Sequence, residues 1–197
     1  MSVRKIDENY VMELAKEVSR NNTVTYDELP QYDLFLSQVI DYLNDKFSDE
    51  KYTNNIVQNY IKSEVISKPE DGKKRGYTKL HLAQLVLLSY MRPVLTTEEI
   101  KKVFSLVFND INNREDDIIS WEEAYEIFSD VQEHSYQEIF ASHIFNEEKV
   151  NKTISKLNLD EEDNEKIKLF VLVMSLVFQA SIIKKMVSKI VNENSEV

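Results

Sequence analysis

Residues that break or turn a chain are scarce in this sequence: two glycines and three prolines in 197 residues. A β-sandwich or barrel turns back about every 8–12 residues and relies on glycine and proline to do so. A chain this poor in both cannot supply such turns. The sequence therefore predicts an all-α protein of long helices. Hydrophobic residues at 42% are enough for a packed core, and the length suits one or two units.

Apolar periodicity locates the helices. Ile6, Tyr10, Leu14 and Val18 recur every four residues and predict a helix over about residues 5–20. "RNNTVTYDELPQYD" interrupts it, and a second helix follows over about 34–47, with Leu36, Val39, Ile40, Leu43 and Phe47 on one side. Thr53 reads as the N-cap of a short helix, 53–62, whose inner side is Ile56, Val57, Tyr60 and Ile61. Residues 62–78, "KSEVISKPEDGKKRGYT", hold both glycines and read as a turn and an extended loop. "KLHLAQLVLLSYM" (79–91) is apolar nearly all round, as befits a helix at the centre of a domain, and Pro93 ends it.

Two capping boxes follow, Thr96 with Glu99 and Ser120 with Glu123. The first opens a helix with the stripe Ile100, Val103, Phe104, Val107 and Phe108. The second opens a helix to about 145, with Trp121, Tyr125, Phe128, Val131, Ile139 and Phe140 facing inward. A shorter helix carries Val150, Ile154 and Leu157. The last runs to about 192, with acids in its first turn and Lys184, Lys185 and Lys189 near its end, the order a helix dipole favours. The expected division is an N-terminal helix and linker (1–33), a domain (34–109) and a C-terminal helical region (120–197).

Several function classes are excluded or disfavoured. Without cysteine there is no disulfide framework, thiolate metal site or cysteine nucleophile. No P-loop, dinucleotide fingerprint, G-x-S-x-G or H-E-x-x-H is present, so neither an enzyme nor a cofactor is expected. His134 and His143 lack the i, i+4 spacing of a helical metal pair, and His81 reads as a core polar group. Residues 104–128 resemble an EF-hand only at first sight: Arg114 falls on a ligand position and Asp117 on the required glycine, so no metal is expected. The N-terminus lacks a signal-like apolar run, and the longest apolar stretch, 169–183, is shorter than the roughly 20 residues that span a bilayer. A soluble cytoplasmic protein with no membrane partner is the expectation.

Charge is unevenly distributed. The formal net charge is −11, yet residues 51–105 carry ten basic and five acidic side chains. A locally cationic surface suffices to attract phosphate. The order helix, turn, short helix, basic glycine loop, central helix is that of a winged helix-turn-helix, with a wing that can form a small β-hairpin. On the short helix, Asn54, Asn55, Gln58, Asn59 and Lys62 face outward, and such amides can pair with base edges. In the wing, 72–78, glycine lets the backbone approach DNA while Lys73, Lys74 and Arg75 supply charge, with Lys79 just beyond and Tyr77 supporting the wing.

The stretch "RGYTKLHLAQLVLLSYMRPVLTTEEIKKVF" (75–104) resembles the MerR family of bacterial regulators, with Tyr77, Leu82, Leu85, Leu95, Ile100 and Phe104 at its recurring positions. "VQNYIKSEVISKP" (57–69) is similar to the family's "IRYYEEIGLLxP". Here Gln58 stands for the arginine, Asn59 for the first tyrosine and Glu64 for the glycine. The whole chain also resembles an uncharacterised bacterial domain-of-unknown-function family with a MerR-like half followed by a helical half. The resemblance implies a transcriptional regulator that binds double-stranded DNA as a homodimer joined through the C-terminal helices, with a small-molecule or protein effector unspecified. The competing expectation is a helical protein-interaction module that has lost DNA binding.

Overall fold

The computed structural model describes residues 7–22, 24–47, 51–69, 76–115, 117–142, 146–155 and 160–193. Among these residues the chain is helical: α1 (Glu8–Asn22), α2 (Leu36–Lys46), α3 (Asn54–Lys62), α4 (Lys79–Met91), α5 (Thr97–Ser105), α6 (Trp121–Ser142), α7 (Glu147–Ile154) and α8 (Glu161–Glu193). Two compact units result: Asn22–Val131 with Met186–Val197, and Met1–Asn21 with Gln132–Lys185.

The larger unit is built around α4. Leu82, Ala83, Leu85, Val86 and Leu88 are all fully buried. They are ringed by Val39 and Leu43 of α2, Val57 and Ile61 of α3, Ile100 and Phe104 of α5, and Trp121 and Tyr125 of α6. A helix surrounded this way must be apolar on every face, the property its sequence displays. The same core extends past residues 109–119: the Trp121 ring stacks on Phe108 at 3.6 Å and meets Phe104 edge-on at 5.0 Å.

Upstream, Val24 and Leu29 are buried in the same core. Hydroxyls distant in sequence fix the backbone there, since Tyr125 donates to the Val24 carbonyl at 2.8 Å and the Val24 N–H donates to the Tyr90 hydroxyl at 3.3 Å. At the other end of the chain, Val187 packs on this core, and Lys102 donates to the Asn192 side chain at 3.1 Å.

Local chemistry sets the helix starts. The Thr96 hydroxyl accepts from the Glu99 N–H, and the Glu99 carboxylate accepts from the Thr96 N–H at 2.9 Å. Ser120 and Glu123 make the same reciprocal pair. Both are the capping boxes expected from sequence. At the end of α3, Glu64 adopts φ 57°, and the Val65 N–H donates to the Tyr60 carbonyl at 2.9 Å. This left-handed turn closes α3 and drives Val65 and Ile66 into the core.

No strand occurs among the described residues; Tyr77 pairs only as an isolated antiparallel bridge with Leu34. A hairpin wing is therefore not formed by the described part of 72–78, because the partner of Tyr77 is the segment leading into α2.

In the smaller unit, Val11 of α1 and Leu172 of α8 form a small core with Tyr10 and Val150. The starts of α1 and α7 are paired: the Glu8 N–H donates to the Glu147 carboxylate, and the Glu147 N–H to that of Glu8, both at 3.4 Å. Asn146 caps α7 by accepting from the Lys149 N–H at 2.8 Å. The apolar stretch of α8 has little cover, with Phe170 65% and Phe178 66% exposed. Leu157 lies outside the described residues, as do the side chains of Ile139 and Phe140, while Val131 is exposed rather than inward-facing.

Candidate nucleic-acid interface

The site is assembled on α3. The Thr53 hydroxyl accepts from the Ile56 N–H at 3.3 Å, so the helix starts where its N-cap sequence dictates. The chain just before it is held by Tyr52, which is 2% exposed. Asn44 brackets the Tyr52 backbone, accepting from its N–H at 2.6 Å and donating to its carbonyl at 3.1 Å. The Tyr52 hydroxyl shares a hydrogen bond with Ser89 at 2.8 Å, and the Arg92 guanidinium lies over its ring at 4.5 Å.

With Val57 and Ile61 buried, the opposite side of α3 is exposed at Asn54, Asn55, Asn59 and Lys62. Asn55, Asn59 and Lys62 stand at i, i+4 and i+7, which sets them in one row along the helix. Beside this row a groove of about 350 Å³ is lined by Ile56, Asn59, Tyr60, Ser63, Arg92 and Thr97. Arg92 was not singled out in the sequence; its only signal is its position between the central helix and Pro93.

Gln58 has a different role from its neighbours. Its side-chain amide is half-buried and donates to the Tyr77 hydroxyl at 3.3 Å. Tyr77 is buried, packs edge-on against His81 at 5.7 Å and exchanges both backbone hydrogen bonds with Leu34. Burial raises the Tyr77 pKa above its ordinary 10.0, and the bond from Gln58 partly opposes that rise. Lys79 is likewise engaged, its ammonium lying 3.7 Å over the Tyr26 ring.

Lys73, Lys74 and Arg75 lie outside the described residues. The residues on either side, Ser67, Lys68 and Thr78, are held by hydrogen bonds. Ser67 donates through its N–H and hydroxyl to the Gln84 side-chain oxygen at 3.0 and 2.9 Å. The Lys68 N–H donates to the Asn112 side chain at 2.9 Å. His81 touches both feet: Nδ1 accepts from the Thr78 N–H at 3.1 Å, and Nε2 lies 3.3 Å from the Lys68 carbonyl. An Nδ1 that accepts leaves the proton on Nε2, where it faces that carbonyl.

His81, Gln84 and Asn112 were thus missed as determinants of the loop. The first two had a signal, being polar residues three apart in a helix otherwise nearly all apolar and so sharing one of its faces. Asn112 had none, since its partner is 44 residues away.

Elsewhere, the Glu123 carboxylate that would have completed an EF-hand loop accepts from Ser120, whose hydrogen bonds hold its pKa below 4.5. Among the described residues no group of three acidic or imidazole side chains could hold a metal ion.

No curated protein and no solved structure matches the chain. A family model described as Domain of unknown function (DUF1836) matches residues 24–128, from the buried Val24 through Trp121 and Tyr125 of α6. This is just over half of the chain and nearly all of the larger unit, so the protein belongs to the DUF1836 family.

Proposed function

We propose that the larger unit binds double-stranded DNA as a transcriptional regulator of MerR-like type, with α3 in the major groove and the basic loop along the phosphates. The observation that carries this reading is the exposed row Asn55, Asn59 and Lys62 on a short helix fixed at both ends. Amides at this spacing can meet successive base edges, adenine above all, and Lys62 can meet a phosphate. Lys73, Lys74 and Arg75 supply the sequence-independent attraction, and Tyr77 supports the loop from below. Gln58, held by Tyr77, acts through position rather than by reading a base.

A second reading, a helical protein-interaction module without DNA affinity, draws on the same contacts. Gln58 and Lys79 are both engaged within the fold, which leaves fewer groups for DNA.

Selection of bound duplexes from a random pool, at a stated salt concentration, separates the two. DNA binding predicts an enriched sequence, with retention lost in the variant Lys73→Ala/Lys74→Ala/Arg75→Ala. A pool that stays random, with the triple variant behaving as the parent does, excludes it.

A further inference from the structure

We infer that the groove between α3 and the turn from α4 to α5 binds a small organic anion, a carboxylate or phosphate monoester carried on an apolar body. This inference stands apart from the DNA-binding reading and holds whether or not α3 meets DNA. The groove is lined by Ile56, Asn59, Tyr60 and Ser63 from α3 and its C-cap, Arg92 from the end of α4, and Thr97 from the start of α5. Among these described residues one is a cation and none is an acid.

Arg92 is fixed by the fold. Its guanidinium lies 4.5 Å over the Tyr52 ring and hydrogen-bonds the Tyr52 hydroxyl. Tyr52 is itself buried, with its hydroxyl shared with Ser89 and its backbone held by Asn44. A guanidinium held in this way loses little freedom on binding, and its planar fork matches two oxygens of a carboxylate or phosphate. Because Arg92 is half-buried, water screens its charge less than it screens that of an exposed lysine.

The other polar groups suit the same ligand. Thr97 is the first residue of α5, at the end where backbone N–H groups lack intrahelical partners and the helix dipole is positive. Of the two acids in that turn, Glu99 is turned back onto the Thr96 N–H at 2.9 Å, and Glu98 is exposed and does not line the groove. Asn59 adds a side-chain amide. The Ser63 hydroxyl donates to the Tyr60 carbonyl at 3.3 Å and can rotate toward a ligand.

Ile56 and Tyr60, both half-buried, supply an apolar wall beside these groups. The volume of about 350 Å³ lies at the small end of the range of about 300–1,000 Å³ usual for ligand pockets. A lone phosphate of a DNA backbone would engage Arg92 and leave the wall bare. A compact ligand with a charged end and an apolar body uses both.

The test is titration calorimetry of the full chain with phenyl phosphate and benzoate, against inorganic phosphate and benzyl alcohol. Saturable one-to-one binding of at least one organic anion is expected, about tenfold tighter than either comparison compound, each of which offers only one of the two parts. Arg92→Lys keeps the charge, loses the fork and should weaken binding about tenfold. Thr97→Glu sets an acid in the first turn of α5, where the dipole favours it and folding is spared, and should abolish binding. The variant Lys73→Ala/Lys74→Ala/Arg75→Ala should bind the probe as the parent does, which separates this groove from the basic loop. No saturable heat with either organic anion overturns the inference, as does binding that Thr97→Glu leaves unchanged or inorganic phosphate that binds as tightly as phenyl phosphate. A chain that ignores both probes yet binds duplex DNA more weakly as Thr97→Glu assigns the groove to the DNA backbone and overturns it too.

Discussion

The Gln58 side chain donates to the Tyr77 hydroxyl at 3.3 Å and thereby ties α3 to a foot of the basic loop. Gln58 and Tyr77 are 19 residues apart in the chain and are joined by this bond. Tyr77→Phe removes it while keeping the ring against His81. We expect a loss of about 0.5–1.5 kcal/mol in urea unfolding. Gln58→Leu in the Tyr77→Phe background should then cost little more, since the partner is already gone.

His81 holds both feet of the same loop. His81→Ala leaves the Thr78 N–H and the Lys68 carbonyl without these partners and opens a cavity beside Tyr77. A loss of about 2–4 kcal/mol is expected. Hydrogen exchange at the Thr78 amide should accelerate in this variant well beyond what the global loss of stability accounts for.

Two tyrosines with buried hydroxyls should respond oppositely to losing them. Tyr125 donates to the Val24 carbonyl, whereas the Tyr42 hydroxyl is buried without a hydrogen-bond partner among the described residues. Tyr125→Phe should destabilise by about 1–2 kcal/mol, and Tyr42→Phe should be neutral or stabilise by up to about 1 kcal/mol. Chemical denaturation of the two variants side by side reads the difference.

Alkali should unfold the protein through these same side chains. Burial, with a contribution from Glu28, pushes the Tyr42 pKa up to about 12, and burial raises those of Tyr52, Tyr77 and Tyr125 above 10.0 as well. A folded pKa above the unfolded value favours the folded state fully below pH 10. That advantage is lost as pH rises from 10 through about 12. The midpoint of thermal unfolding should fall over this window.

Much of this fold was legible in local sequence. The central helix was placed at 79–91 because its punctuation is local: Thr78 before it and Pro93 just after. The caps at Thr53, Thr96 and Ser120 were likewise legible within four residues. Glu64 shows the limit of motif reading. It replaces a glycine of the similar family pattern, yet at φ 57° it keeps the left-handed turn that glycine favours.

What local reading missed depends on distant partners. Val24 and Leu29 lie in a stretch with no apolar period, and the hydroxyls fixing Val24 come from residues 66 and 101 positions away. The exposed row of α3 followed from helical spacing alone. The inward engagement of Gln58 and Lys79 did not, because Tyr77 and Tyr26 approach them only in the folded chain.

The most direct measurement of the central claim is fluorescence anisotropy with the selected duplex and a scrambled duplex, titrated over a range of salt. Asn55→Ala and Asn59→Ala should each weaken binding to the selected duplex by about 1–3 kcal/mol while leaving scrambled binding unchanged, and Lys62→Ala should reduce the salt slope by about one. Equal binding of the parent protein to both duplexes, or variants that weaken both alike, would contradict sequence reading by α3.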